Sequence, residues 1–482
     1  MTQHSHRPQA PSLSRVITGL WQVADMERHG KVLDPDKAAE AMLPYVEAGF
    51  TTFDMADHYG SSEVMAGTFK RKYPELKTQM LTKWVPAPGT SKPTDVREAV
   101  TKALTRMQTQ QLDLLQFHAW NYSDPRWLDC LFHLQQLKHE GLIAELGVTN
   151  FDTAHLRIAV ACGIDIVTNQ ICYSLLDQRA AGKLTAFCLE KNIKLLAFGT
   201  LAGGFLSERW VDQPEPAIDE SLTWSQMKYK RFIDQTGGWQ RYQVLLRTLQ
   251  PLAAAHGVGI ACIASKFIMQ QPAVAAVIIG ARLGESEHIT ENRKLFEVML
   301  SEEQMQSIRE ALNHLQPLPG DCGDEYRKPP YLTASGDLSH HLKDMPAPYE
   351  VVDDRAQQKQ KVLSGTTWES MAGYCRAVKT GNRVFVSGTT AAHGPIAIAV
   401  GDIAAQTHFV IDKIEGALQS VGASLSHVVR TRVYVSDIAQ WEQVARAHGE
   451  RFRDIQPANT MVRAELIGTE YLVEIEAEAV VP

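Results

Sequence analysis

Short apolar runs recur along the first 280 residues, each ending in a polar or small residue and each followed by a helical pattern. They are Val16–Trp21, Thr51–Met55, Met80–Lys83, Leu112–His118, Ala144–Asn150, Ile164–Gln170, Ile193–Phe198 and Ala275–Gly280. A spacing of about 30 residues between most of them fits a strand, a helix and two loops in a βα unit. The segments between them carry helical periodicity. After Pro93, the residues Val96, Ala99, Val100, Ala103, Leu104 and Met107 form one continuous apolar stripe. Thr94 or Asp95 is expected to cap that helix, with Pro93 just outside it. Eight such units predict an α/β fold of the (β/α)8 barrel type. A doubly wound sheet is disfavoured, because no G-x-G-x-x-G follows the first strand.

The seventh and eighth strands are unusually far apart. The excess begins near Gly203 and includes Asp212–Ser221 and the aromatic, charged stretch Trp224–Tyr242. On a barrel such a loop lies at the C-terminal face, where active sites sit. It reads equally as a substrate or cofactor loop and as a surface elaboration. After a last helix pattern, Glu302–Leu315, the texture changes. Residues 317–361 have little periodicity and many breakers, and they read as a linker between a barrel at 1–316 and a second domain at 362–482. In that domain Val384–Ser387, Val428–Val435 and Tyr471–Val480 read as strands and Gln406–Val421 as a helix, which predicts a small α+β fold.

Composition narrows the partners. A length of 482 residues is too great for one ordinary core. A net charge of −7 offers no footprint for nucleic acid or anionic lipid. No run of 18 apolar residues predicts a transmembrane helix, and the start, MTQHSHRPQAPSLSR, lacks the apolar region of a signal peptide. The seven cysteines are scattered and contain no C-x-x-C pair. They suggest neither disulfides nor a metal site, and they fit a reducing, cytoplasmic setting.

Chemistry collects at the strand ends. Asp54, Tyr59 just beyond it, Lys83 and His118 come from consecutive strands and must meet at the barrel mouth. Singly, each has a bland reading as a cap, a packing residue or a solvated charge. Together they make a proton-donating set. A tyrosine is a poor acid at neutral pH. A lysine beside it stabilises phenolate, an aspartate holds the lysine charged, and a histidine can hydrogen-bond the same substrate oxygen. Such a set protonates a carbonyl oxygen as hydride arrives at carbon.

These residues sit in Phe53–Glu63, Leu81–Trp84 and Leu114–Trp120. With Gly147–Phe151, Thr168–Ser174, Ala197–Leu206 and Ile278–Asn292, the chain resembles the aldo-keto reductases over about residues 14–315. The resemblance implies an NAD(P)H-dependent carbonyl reductase with Tyr59 as general acid, its proton made easier to lose by Lys83 and Asp54, and His118 orienting the carbonyl. It implies that Thr149, Asn150 and Gln170 hold the nicotinamide carboxamide and that Phe198 stacks on the ring. Gly19, Trp21, Gly199, Thr200, Leu201 and Gly203 would complete the cofactor site, with backbone amides around Leu201–Gly204 approaching the pyrophosphate. Arg282, His288, Glu291 and Asn292 would lie at the adenosine end. Arg282 favours NADPH, with NADH the alternative. Trp21, Trp84 and Trp120 are expected to line the substrate pocket.

In the second domain, Gly373–Ala391, Asp402–Leu418, Val428–Asp437, Pro457–Val462 and Leu472–Val480 resemble the Rid family of small trimeric proteins, whose best-known members hydrolyse reactive enamines and imines. Tyr374, Ser387, Asn459 and Glu474 would fill its cleft. Active deaminases carry arginine where this chain has Asn459, and a neutral amide cannot pair with a substrate carboxylate as arginine does. Glu474, Glu476 and Glu478 share one strand face. They read as a solvated row or as part of a homo-oligomer interface, a trimer or a multiple of it, meeting Arg430 and Arg432. The expected function is reduction of a small aldehyde or ketone, or of a cyclic imine. The alternatives are a cofactor-sensing scaffold and a bifunctional imine-processing enzyme.

Overall fold

The computed structural model describes residues 13–23, 33–219, 221–328 and 338–482. The extreme N-terminus, read as lacking a signal peptide, lies outside the described residues up to position 12, as do residues 329–337 of the expected linker. The chain divides into two compact units, one carrying the barrel strands and the other the second sheet.

Eight parallel strands close the barrel: β1 (Val16–Gly19), β2 (Thr52–Asp54), β3 (Gln79–Trp84), β4 (Leu112–His118), β5 (Ile143–Thr149), β6 (Ile166–Cys172), β7 (Lys194–Phe198) and β8 (Val274–Gly280), with β8 pairing back to β1. All eight fall where the apolar runs predict them. A parallel barrel buries both faces of each strand, so its strands read as unbroken apolar runs. Ile17, Leu81, Leu114, Val167, Leu196, Ala276 and Ile278 fill one cluster of the core. The helices are α1 (Pro35–Glu47), α2 (Ser62–Lys72), α3 (Pro93–Arg106), α4 (Arg126–His139), α5 (Thr153–Ala161), α6 (Lys183–Lys191), α7 (Trp224–Gln235), α8 (Trp239–His256), α9 (Ile260–Met269), α10 (Ile289–Glu297), α11 (Glu302–Leu312) and α12 (Asp324–Arg327).

Two expectations change. Pro93 is the first residue inside α3, where its missing N–H costs nothing. Asp95 caps from within the first turn, accepting from the Lys92 and Ser91 amides at 3.0 and 3.3 Å. The long connection after β7 is also not a bare loop. It contains α7, started by a reciprocal pair in which Thr223 and Gln226 each accept the other's backbone N–H.

The segment 317–361 is more than a connection. α12 crosses the C-terminal end of the barrel, where Arg327 donates to the carbonyls of Ala119 (3.0 Å) and Asn150 (2.6 Å), just past β4 and β5. Buried Arg179 secures it from the other side, reaching Asp177 at 2.7 Å, Glu325 at 2.8 Å and the Asp321 carbonyl at 2.8 Å. Further on, β9 (Glu350–Asp354) and β10 (Lys359–Leu363) form a hairpin that extends the second sheet.

The second unit continues with α13 (Thr367–Ala372), β11 (Ala377–Thr380), β12 (Arg383–Thr390), β13 (Ala392–His393), β14 (Ile396–Ala397), α14 (Ile403–Ser420), β15 (Val428–Val435), α15 (Trp441–Phe452), β16 (Ala458–Arg463) and β17 (Val473–Val480). Its sheet runs in the order β16-β15-β17-β12-β11-β10-β9. Along β17, Val473, Ile475, Ala477 and Ala479 are buried and the three glutamates between them are half-buried. The strict period of two comes from a sheet with one face covered, here by α14.

Candidate active site

β2, β3 and β4 end side by side, and their last polar residues meet. Lys83 Nζ lies 2.6 Å from Asp54 Oδ2, and both side chains are about 5% exposed. The other Asp54 oxygen accepts from Gln170 at 2.7 Å and Gln116 at 3.4 Å. Burial pushes the Lys83 ammonium toward deprotonation, and Asp54 opposes that. Tyr59 lies over this pair, with Lys83 Nζ 5.0 Å from its ring centroid. Trp21 and His58 wall the phenol edge-on, at centroid distances of 4.9 and 4.7 Å.

His118 is 2% exposed, and neither ring nitrogen makes a hydrogen bond of normal geometry among the described residues. Burial first, then the Arg327 guanidinium, hold its pKa well below the usual histidine range, while the nearby Thr149 backbone works in the opposite direction. A neutral imidazole in this position can donate one hydrogen bond to a ligand oxygen. Asn150 Oδ1 is another buried polar atom with no hydrogen-bond partner among the described residues. Asn150 adopts a φ of +61° directly after β5, a conformation that asparagine tolerates better than most residues. Buried polar atoms without partners carry a cost that a bound polar group relieves.

These groups line one cavity. Gly19, Trp21, Asp54, Tyr59, Lys83, His118, Trp120, Thr149, Asn150, Gln170, Phe198, Gly199, Thr200, Leu201 and Gly203, all singled out in the sequence, face it together. Gly199 and Gly203 have φ of +79° and +64°. A Cβ on Gly199 would collide with the Tyr229 hydroxyl, and one on Gly203 would stand 3.0 Å from the Ser225 carbonyl. The turns at Gly199 and Gly203, which line the cavity, therefore require glycine. Arg282 lies in the connection after β8, and His288, Glu291 and Asn292 lie at the start of α10; none of the four is among the residues lining the cavity. Arg282 is exposed, and His288 pairs with Glu291 at 3.2 Å.

Trp84 does not line the cavity. It is buried against Phe117, with ring centroids 5.5 Å apart. Adjacent strand residues point to opposite faces, so Lys83 and Trp84 cannot both face inward. Sequence reasoning missed Trp224, Lys228 and Tyr229 from α7, and Tyr326 and Leu338 from beyond the barrel, all of which line the cavity. The T-x-x-Q spacing at Thr223 was a readable signal for α7. No comparable signal marks Tyr326.

In the second unit the expected cleft residues separate. Ser387 Oγ donates to the Cys375 carbonyl at 2.8 Å, and Glu474 packs against Gly388. Tyr374 stands near Arg376, whose guanidinium is 5.9 Å from its ring centroid. Burial pushes the Glu474 carboxyl up, and Arg376 pulls it down. Arg376, unremarked in the sequence, is thus the cation beside Glu474. Asn459 is elsewhere. It sits on the edge strand β16 and donates to Thr431 Oγ1 at 2.9 Å, and Thr431 faces the helices. Glu474 pairs with Tyr434 on the opposite face. Arg432 bridges Glu476 and Glu478 at 3.2 and 3.1 Å, so these two glutamates of the row are paired within their own sheet.

Fold and site together define a barrel oxidoreductase with a fused α+β domain. The chain belongs to the Aldo/keto reductase family over residues 15–313, and its residues 365–481 match the family described as Endoribonuclease L-PSP. Among relatives, it is 24% identical over 329 residues to the NADH-specific methylglyoxal reductase of Escherichia coli, covering 63% of this chain and 96% of that protein. Its C-terminal part is 31% identical over 122 residues to a RutC family protein of Pyrococcus abyssi, covering 25% of this chain and 96% of that protein. The glycerol dehydrogenase structure from Gluconobacter oxydans superposes with a TM-score of 0.52 at 22% identity, covering 64% of this chain and 94% of that one, a likeness of fold.

Proposed function

We propose that the barrel reduces an aldehyde or ketone by hydride transfer from a nicotinamide cofactor, with Tyr59 donating the proton. The observation that carries this reading is the Asp54–Lys83 pair beneath Tyr59 beside a buried, neutral His118. The cofactor supplies hydride when bound. Asn150 and Gln170 suit its carboxamide, Phe198 offers a flat face, and the Gly199–Gly204 backbone suits its pyrophosphate. As charge builds on the substrate oxygen, His118 donates a hydrogen bond to it and Tyr59 transfers its proton. Lys83 stabilises the phenolate left behind, and Asp54 keeps Lys83 protonated. Arg282, exposed before α10, favours NADPH by offering a cation to a 2′-phosphate, while the E. coli relative is NADH-specific by name. Oxidation of NADPH and NADH followed at 340 nm with aldehydes, ketones and cyclic imines tests the reading. Tyr59→Phe should lower turnover by roughly 10²-fold or more while leaving cofactor affinity intact. Full activity in that variant overturns the assignment.

The second domain acts as an oligomerisation module in this proposal. Phe385 and Val462 are 38% and 44% exposed on the face that carries Arg432 and the glutamates, and β16 leaves an open edge. Sedimentation of the intact chain should show a trimer or a multiple of it. A monomer at micromolar concentration sinks the idea.

A further inference from the structure

β4 and β5 deliver two groups that must face each other in the proposed reaction. His118 ends β4, Thr149 ends β5 and Asn150 follows it, and the pairing between these strands stops at His118 and Thr149. Just past that pair, one guanidinium spans both chains. Arg327 Nε donates to the Ala119 carbonyl at 3.0 Å and Nη2 to the Asn150 carbonyl at 2.6 Å. A guanidinium is planar and permanently charged, and the spacing of its nitrogens is fixed, so it ties the two strand ends together at a set separation. Gly323, just before α12 and at a φ of +83°, lies so close that a Cβ on it would stand 2.1 Å from the Asn150 carbonyl oxygen. On its other side the end of β5 is tied to β6, where the Asn150 amide and the Thr149 hydroxyl donate to the Gln170 carbonyl at 2.8 and 3.0 Å. Asn150 is held in its φ of +61° from both sides.

This brace reaches the site from outside the stretch matched to the reductase family, which ends at residue 313. Its neighbour Tyr326 lines the cavity and stands edge-on to His118, with ring centroids 5.7 Å apart. The guanidinium charge also works against protonation of His118, second to burial. With His118 orienting the substrate carbonyl and Asn150 the cofactor carboxamide, the separation of these two strand ends sets the distance that hydride must cross. A misplacement of about 1 Å between reacting groups can cost on the order of 10²-fold in rate.

We propose that Arg327 is a positioning residue for hydride transfer, bridging the Ala119 and Asn150 carbonyls so that the substrate carbonyl on His118 stays within reach of the nicotinamide. This rests on the proposed reductase reading. The test uses the full chain with NADPH and benzaldehyde, or the carbonyl compound of the 340 nm panel that the wild type reduces fastest. Single-turnover hydride transfer in Arg327→Ala should slow by roughly tenfold or more. Guanidinium ion at millimolar concentration should restore a large part of the rate. Ethylammonium, which has the charge without the fork, should not. Arg327→Lys keeps the charge in place but cannot span both carbonyls, so it should be slow as well, and it carries the test if Arg327→Ala does not fold.

A wild type that reduces no carbonyl compound sinks the reductase reading and this inference with it. Undiminished transfer in Arg327→Ala, beside an active wild type, sinks the inference alone. Full rate in Arg327→Lys, or rescue by ethylammonium as strong as by guanidinium, does the same, because charge would then suffice. A loss in Arg327→Ala that guanidinium leaves untouched also overturns it and assigns Arg327 to the fold.

Discussion

Lys83 in the barrel and Lys413 on α14 of the second domain are 4% and 6% exposed, yet they are held by different means. Lys83 has a carboxylate at 2.6 Å. Lys413 donates to two backbone carbonyls, Thr390 at 3.1 Å and Ala392 at 2.6 Å. Burial lowers both, but only Lys83 has an anion in contact to oppose it. Lys413 is pushed down to about 7, by burial first and then by Arg376, against a smaller pull from Glu369. A carbonyl accepts a hydrogen bond from an ammonium or an amine alike, so it fixes position without fixing charge. A carboxylate fixes both. The barrel lysine is built as a standing cation beneath a proton donor. The second-domain lysine is built as a tie between α14 and the end of β12.

The largest expected effect comes from making the first lysine resemble the second. Asp54→Asn leaves Lys83 buried among neutral partners. Hydride transfer in a single turnover should slow by roughly 10²-fold or more. Breaking a buried pair should also cost about 3–5 kcal/mol of stability, read by denaturant unfolding. Unimpaired transfer would show that the charge on Lys83 is dispensable.

A smaller effect should separate Lys413 from it. Below about pH 7 Lys413 is protonated in both the folded and unfolded states, so its burial penalty is full. Between there and the ordinary lysine range the unfolded chain holds a proton that the folded chain has released, so stability rises with pH. The stability of the wild type relative to Lys413→Met should therefore increase from pH 7 to pH 10, by at most about 1.4 kcal/mol per pH unit, and stay level below pH 7. A difference that is flat or falling across the alkaline window would mean that Lys413 keeps its charge.

The parts of the molecule readable in the sequence are those with a repeating physical cause. Strands buried on both faces must be apolar throughout, and all eight barrel strands could be found that way. Polar groups ending such runs have one place to go, which is why Asp54, Lys83 and His118 can be brought together from the sequence alone. Trp84 shows where that logic slips, because aromatic character was read without the alternation that turns it away from Lys83. Lys228 sits in a helix whose start was signalled by Thr223 and Gln226 but was passed over as loop. Tyr326 and Arg327 could not be found, since a four-residue helix among breakers has no period to read. Asn459 was placed by motif position, and its face of the sheet depended on a register that only the strand pairing reveals.

The strap through α12 sets where this gene can be cut. The last regular helix of the barrel ends at Leu312, and a truncation there follows the apparent boundary. Such a fragment would lack Glu325, leaving buried Arg179 with Asp177 alone, and would lack the Arg327 clasp on Ala119 and Asn150. It would also lose Tyr326, which accepts a hydrogen bond from Lys228 at 2.8 Å. The unit of chemistry is longer than the unit of architecture, and a faithful dissection runs through Lys328 at least.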